Sequence, residues 1–129
     1  DLPFGAGTNA VWASGAPFIW EAFDFVSTPY TLARGEINSF FNTQASPAQA
    51  EGLTLYMSIN VLHGNTGQTP VTADQLRSWG TLFIADTRNC GLTFWKFDQG
   101  DNGQYFGAPD VAGVLAELSV LVANRSGCQ

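Results

Sequence analysis

Residues Leu53 to Leu62 alternate in character: Leu55, Met57, Ile59 and Val61 share one side of an extended chain, and Thr54, Tyr56, Ser58 and Asn60 share the other. That two-residue period belongs to a β-strand with one apolar face. A polar loop, His63 to Pro70, follows, and then Thr72-Ala73-Asp74-Gln75, a capping box that opens a helix through Leu76, Trp79, Phe83 and Ile84. A strand that passes through a polar loop into a capped helix is a βα unit. Repetition of such units produces parallel strands joined by right-handed crossovers, with the loops at the strand C-terminal ends available for a site.

Two further units flank this one. Phe18 to Phe25 is rich in aromatic residues and bounded by Pro17 and by Ser27-Thr28-Pro29, which predicts a buried strand ending near Asp24. Helical segments are expected over Thr31 to Phe41 and again over Ser46 to Glu51, where Ser46-Pro47 is a good N-cap and N1 pair and Gly52 a stop. Leu92 to Asp98 reads as the last strand. A polar loop from Gln99 to Gln104 leads to a helix opened by Pro109-Asp110, with Val111, Val114, Leu115, Leu118, Leu121 and Val122 on one stripe. The expected organisation is an irregular leader over residues 1–15, rich in Gly, Pro and Ser, and one α/β domain over 16–129 with three βα units.

Composition narrows the partners. Apolar residues make up 45 % of the 129 and charged residues 12 %, which excludes disorder. Five basic against eleven acidic residues gives 5 − 11 = −6, and no two basic residues are adjacent. The footprint for a phosphate backbone is missing, so nucleic acid is not an expected partner. No apolar run reaches the length of a membrane span, and the start at Asp1 has no basic and apolar signal segment, so the chain reads as soluble and already processed.

Cys90 and Cys128 are the two cysteines. Cys128 lies in a Gly-flanked tail, and a bond to Cys90 would tie the last helix down; the alternative is two unpaired thiols. The acidic balance, low Lys content and many Asn, Gly and Thr residues favour a secreted protein. Asn124-Arg125-Ser126 is an N-glycosylation sequon, which matters only in a eukaryotic secretory host.

The stretch from Thr72 to Cys128 has a capped helix, then Asn89-Cys90-Gly91-Leu92-Thr93-Phe94-Trp95-Lys96-Phe97-Asp98, Tyr105-Phe106, Pro109-Asp110-Val111 and a closing Cys128. It resembles the last βα units of secreted (β/α)8-barrel proteins related to glycoside hydrolases, the strand with Trp95 and Asp98 being similar to the eighth and Leu53 to His63 to the seventh. The resemblance is best over residues 53–128. It implies part of a TIM barrel, incomplete as a lone chain because a whole barrel takes about 250 residues. The open sheet edges then require the remaining barrel chain, copies of this chain, or a further strand from the leader.

Glycoside hydrolysis uses two carboxyl groups, one protonated and one ionised, facing a shared cleft. The candidates are Glu21, Asp24, Asp98 and Asp101, with Glu21 and Asp98 as the expected acid and base. The competing roles are an ion pair of Glu21 with Arg34 and a turn cap by Asp98. Trp20, Trp95 and Tyr105 are candidates to stack on sugar rings, or else core residues. Asn60 and His63 are placed to orient substrate hydroxyls, and the strand that carries them ends without a Glu. His63 is the single histidine, so a multi-histidine zinc site is excluded. Asp98 to Gly103 echoes half of a calcium loop but has Pro109 where the bidentate Glu belongs. No phosphate loop or nucleophile elbow occurs, and no cofactor is expected. The expected function is hydrolysis or binding of polysaccharide at the strand ends; the alternative is a non-catalytic, self-assembling structural or binding module.

Overall fold

A computed structural model of the chain describes residues 5–7, 25–61, 63–95 and 109–128. Within them, strands β1 (Gly5–Gly7), β2 (Phe25–Tyr30), β3 (Thr54–Asn60) and β4 (Asn89–Trp95) alternate, from β2 onward, with helices α1 (Ile37–Ala50), α2 (Ala73–Ala85) and α3 (Pro109–Ala123). All neighbours in the sheet are parallel and stand in the order β1-β2-β3-β4. The fold is α/β, as expected. The crossovers from β2 to β3 and from β3 to β4 run through α1 and α2, and parallel crossovers are right-handed as a rule, which puts both helices on one face of the sheet. All three helices share one core with Val26, Tyr30, Leu55, Met57 and Ile59.

The β3–α2 unit follows the sequence pattern closely. Leu55, Met57, Ile59 and Val61 are buried, and the capping box is formed, with Thr72 Oγ1 accepting from Gln75 N at 3.1 Å and Gln75 Oε1 accepting from Thr72 N at 2.9 Å. Leu76, Trp79, Phe83 and Ile84 turn inward. Tyr30 of β2 is the aromatic hub, edge-on to Trp79 at 4.9 Å and near Phe83 at 6.0 Å, with its hydroxyl donating to Gly35 O at 2.8 Å. Burial first, and Glu36 second, push the Tyr30 phenol above its ordinary pKa.

Several expectations are corrected. The leader is not wholly irregular: Gly5–Gly7 is a strand paired with Phe25–Ser27, so the described sheet has four strands rather than three. Ser27-Thr28-Pro29, expected to bound a strand ending near Asp24, lies inside a strand that runs Phe25–Tyr30. Among the described residues the pairing with β1 ends at Ser27, so Pro29 lies beyond it, where a missing N–H is tolerated. Residues 18–24 of that expected strand lie outside the described residues.

The two expected helices are one. Thr31 is extended, Leu32–Arg34 form a single 3₁₀ turn, and α1 starts after Glu36, whose carboxylate accepts from Asn38 N at 2.9 Å and Ser39 N at 2.8 Å. The helix continues through Pro47 because Phe40, Phe41, Gln44, Ala45 and Ala48 make one unbroken buried face. That burial outweighs the roughly 3 kcal/mol that an internal proline costs. Gly52, at φ 68°, does end it.

β4 begins at Asn89 rather than Leu92, and residues 96–98 lie outside the described residues. Asn89 is fully buried at a break in the ladder, where its Oδ1 accepts from Met57 N at 2.9 Å and its Nδ2 donates to Phe83 O at 2.8 Å. An amide side chain thus completes both the strand and the preceding helix end. On α3, Val114 and Leu118 are buried and Leu115 partly so, while Leu121 and Val122 are 41 % exposed, contrary to the expected stripe. Contact with α2 is centred where Leu118 fills the space above Gly80, and the last turn runs past that contact. Cys90 and Cys128 form a disulfide, with Cα atoms 5.0 Å apart.

Candidate functional site

The C-terminal ends of β2 and β3 open onto one cleft of about 590 Å³. Residues 31–33, after β2, form one wall; Asn60, the last residue of β3, and His63 and residues 65–68 after it form the other. The walls are joined by Leu32 N donating to Gly64 O at 2.9 Å. Gly64 is glycine for want of space: a Cβ there would collide with the Asn60 carbonyl oxygen and lie 2.8 Å from Val71 Cγ2.

Internal hydrogen bonds hold the second wall. Asn60 Oδ1 accepts from His63 N at 3.1 Å, closing the turn that leaves β3. Asn65 N donates to Thr69 O at 3.0 Å, Gln68 N to Asn65 O at 3.0 Å, and Thr66 N to Asn65 Oδ1 at 2.8 Å. The loop is also tied to the start of α2, since Gln75, a member of the capping box, donates from Nε2 to Asn65 Oδ1 at 3.0 Å. Gly67 and Gln68 are consecutive left-handed residues, at φ 71° and 59°. This conformation costs Gln68 energy that glycine would not lose. The Gln68 carbonyl oxygen lies 3.2 Å from His63 Nδ1. A carbonyl can only accept, so Nδ1 is the protonated nitrogen of the neutral ring.

The described cations are engaged elsewhere. Arg77 bridges Asp74 at 2.9 Å and Glu117 at 2.8 Å; its hydrogen bond lowers the Glu117 carboxyl pKa. Arg88 pairs with Asp86 at 2.8 Å, donates to Asn42 Oδ1 at 2.8 Å and lies over the Phe41 ring. Hydrogen bonds from Arg88 hold Asp86 below the ordinary aspartate range against the opposing effect of burial. This network lines a second, smaller cavity of about 380 Å³ between α1 and the end of α2, where Arg88 bonds to both Asn42 and Asp86. Arg34 lies over Phe40, and Arg125 donates to Asp86 O at 3.3 Å. Among the described residues no group of His, Cys, Asp and Glu is arranged to hold a metal ion.

Of the candidates named from sequence, Asn60 and His63 meet in the cleft. The backbone of Trp95 stands opposite Asn60 in the β3–β4 register, at the same end of the sheet. Trp20, Glu21, Asp24, Asp98, Asp101 and Tyr105 lie outside the described residues. Sequence reasoning missed Leu32, Asn65 and Gln68. The signal for the last two was the Gly64-Asn65-Thr66-Gly67 segment, whose glycines mark a tight, left-handed loop beside the strand end. Comparison with protein-family profiles, curated proteins and solved structures finds no match.

Proposed function

We propose that this chain is a secreted, carbohydrate-active βα-barrel segment of the glycoside-hydrolase type, which acts on or binds polysaccharide at the C-terminal ends of its strands. The observation that carries the reading is the cleft itself. It lies where parallel βα folds place their ligands, and it combines carboxamides, hydroxyls and an imidazole with the exposed apolar surface of Leu32 and Ala33. Sugars present that mixture in reverse, with hydroxyl edges and an apolar C–H face. The Cys90–Cys128 disulfide fits an oxidising compartment, and secretion is the simplest way to reach one.

In this reading Glu21 protonates the departing glycosidic oxygen and Asp98 activates water or attacks the anomeric carbon, while Trp20, Trp95 and Tyr105 stack on sugar rings and Asp24 and Asp101 bind hydroxyls. The test is reducing-end release from a polysaccharide panel by the full chain. Hydrolysis abolished by both Glu21→Gln and Asp98→Asn supports the assignment; hydrolysis that survives either change removes that residue from it.

One observation favours the second reading, a non-catalytic module that associates with copies of itself or with the remaining barrel chain. α3 has Val120 exposed to 59 %, along with Leu121 and Val122. A helix that is apolar nearly all round is normally covered. Binding at the cleft without hydrolysis, in a complex larger than one chain, would select this reading.

A further inference from the structure

We infer that the strand-end cleft takes an uncharged, hydroxyl-rich saccharide ring and rejects uronic acids and phosphorylated sugars. The inference rests on the carbohydrate reading above and narrows its substrate class. An anionic sugar is recognised by cationic side chains or by a nest of backbone N–H groups converging on the charge. The described lining of the cleft has no cationic side chain, and most of its backbone N–H groups are bonded within the loops. Arg34, Arg77, Arg88 and Arg125 are not among its lining residues.

Five backbone donors around it are used within the loops themselves. Leu32 N donates to Gly64 O, His63 N to Asn60 Oδ1, Asn65 N to Thr69 O, Thr66 N to Asn65 Oδ1 and Gln68 N to Asn65 O. Turning any of them toward a ligand would break a turn that shapes the cleft wall. The His63 Nδ1 proton is likewise spent on Gln68 O. A carboxylate or phosphate entering here would lose its hydration without gaining the donors that replace it.

Side-chain amides and hydroxyls remain. A carboxamide offers donor and acceptor together, as does a sugar hydroxyl, so the two match without net charge. Asn60 anchors its own turn through Oδ1, which leaves its Nδ2 to donate, and the exposed Gln68 side chain carries both functions at the cleft rim. Leu32, 36 % exposed on the facing wall, offers the apolar surface for a C–H face. Because the loops are fixed by their own hydrogen bonds, little ordering is needed on binding.

The test is isothermal titration of the full chain with cello- and xylo-oligosaccharides and with an oligogalacturonate of equal length, each at low and high salt. The expected result is binding of a neutral oligosaccharide with an affinity indifferent to salt, and binding of the uronate weaker by about tenfold or more. Gln68→Ala, which keeps the backbone carbonyl that holds His63, should weaken the neutral ligand while circular dichroism stays unchanged. Equal or tighter uronate binding that falls with salt would overturn the inference but leave the carbohydrate reading standing. Absence of binding by every oligosaccharide would overturn both.

Discussion

His63 donates from Nδ1 to the carbonyl oxygen of Gln68 across 3.2 Å, so a left-handed residue in one loop sets the orientation of the imidazole at the end of β3. The neutral ring is therefore expected as the Nδ1–H tautomer, readable from long-range ¹H–¹⁵N correlations. Gly67→Val, which puts a β-branched residue at φ 71°, should displace the Gln68 carbonyl and mix the tautomers. An unchanged pattern in that variant would show that the loop does not hold the ring.

Gly64→Ala tests the join between the two cleft walls. The new methyl would meet the Asn60 carbonyl, a backbone atom, and Val71 Cγ2 at 2.8 Å, so a strand end has to move. A loss of about 1–3 kcal/mol in urea denaturation is expected, as for other overpacked sites. Ligand binding should fall with it, because Gly64 O is the acceptor for Leu32 N.

Asn89 is the buried polar group on which β4 depends. Asn89→Ala leaves both Met57 N and Phe83 O without their partners, at 0 % exposure for the site. Two orphaned buried groups cost roughly 2–6 kcal/mol together. Denaturation midpoints should drop accordingly, and hydrogen exchange at Met57 should accelerate most.

The disulfide spans 38 residues and encloses β4 and α3. Loop entropy values such a closure at about 4 kcal/mol. Reduction, or the Cys90→Ser/Cys128→Ser pair, should lower the melting temperature and release the tail after α3 to proteolysis before the rest of the chain.

Acid should weaken the fold partly through Asp86. Its folded pKa lies below the ordinary 3.8 because Arg88 hydrogen-bonds to the ionised form. The contribution is fully present above the unfolded value and is lost as pH falls through the lowered folded value. The wild type should therefore lose stability below about pH 4 more steeply than Asp86→Asn, whose profile should be flatter there.

The legible parts of this fold are those whose signals are local. Strict alternation from Leu53 and the Thr72–Gln75 box place β3 and α2 without reference to anything distant. β2 is harder because Val26 to Tyr30 contains Pro29, which reads as a terminator unless the reach of β1 is known. α1 runs through Pro47 because a buried face of Phe40, Phe41, Gln44, Ala45 and Ala48 overrides the local signal. At the cleft, the position of Asn60 and His63 at a strand end was readable from the alternation of β3. Gln68 was not, since its role comes from backbone geometry and a carbonyl rather than from its side-chain type.

Carbohydrate binding at the strand-end cleft, as proposed, is tested most directly by a ¹H–¹⁵N perturbation map of the full chain titrated with a neutral oligosaccharide. Saturable shifts confined to residues 31–33, Asn60, His63 and residues 65–68 are predicted. Shifts centred instead on the groove around Asn42, Asp86 and Arg88, or no saturable shift at all, would contradict it.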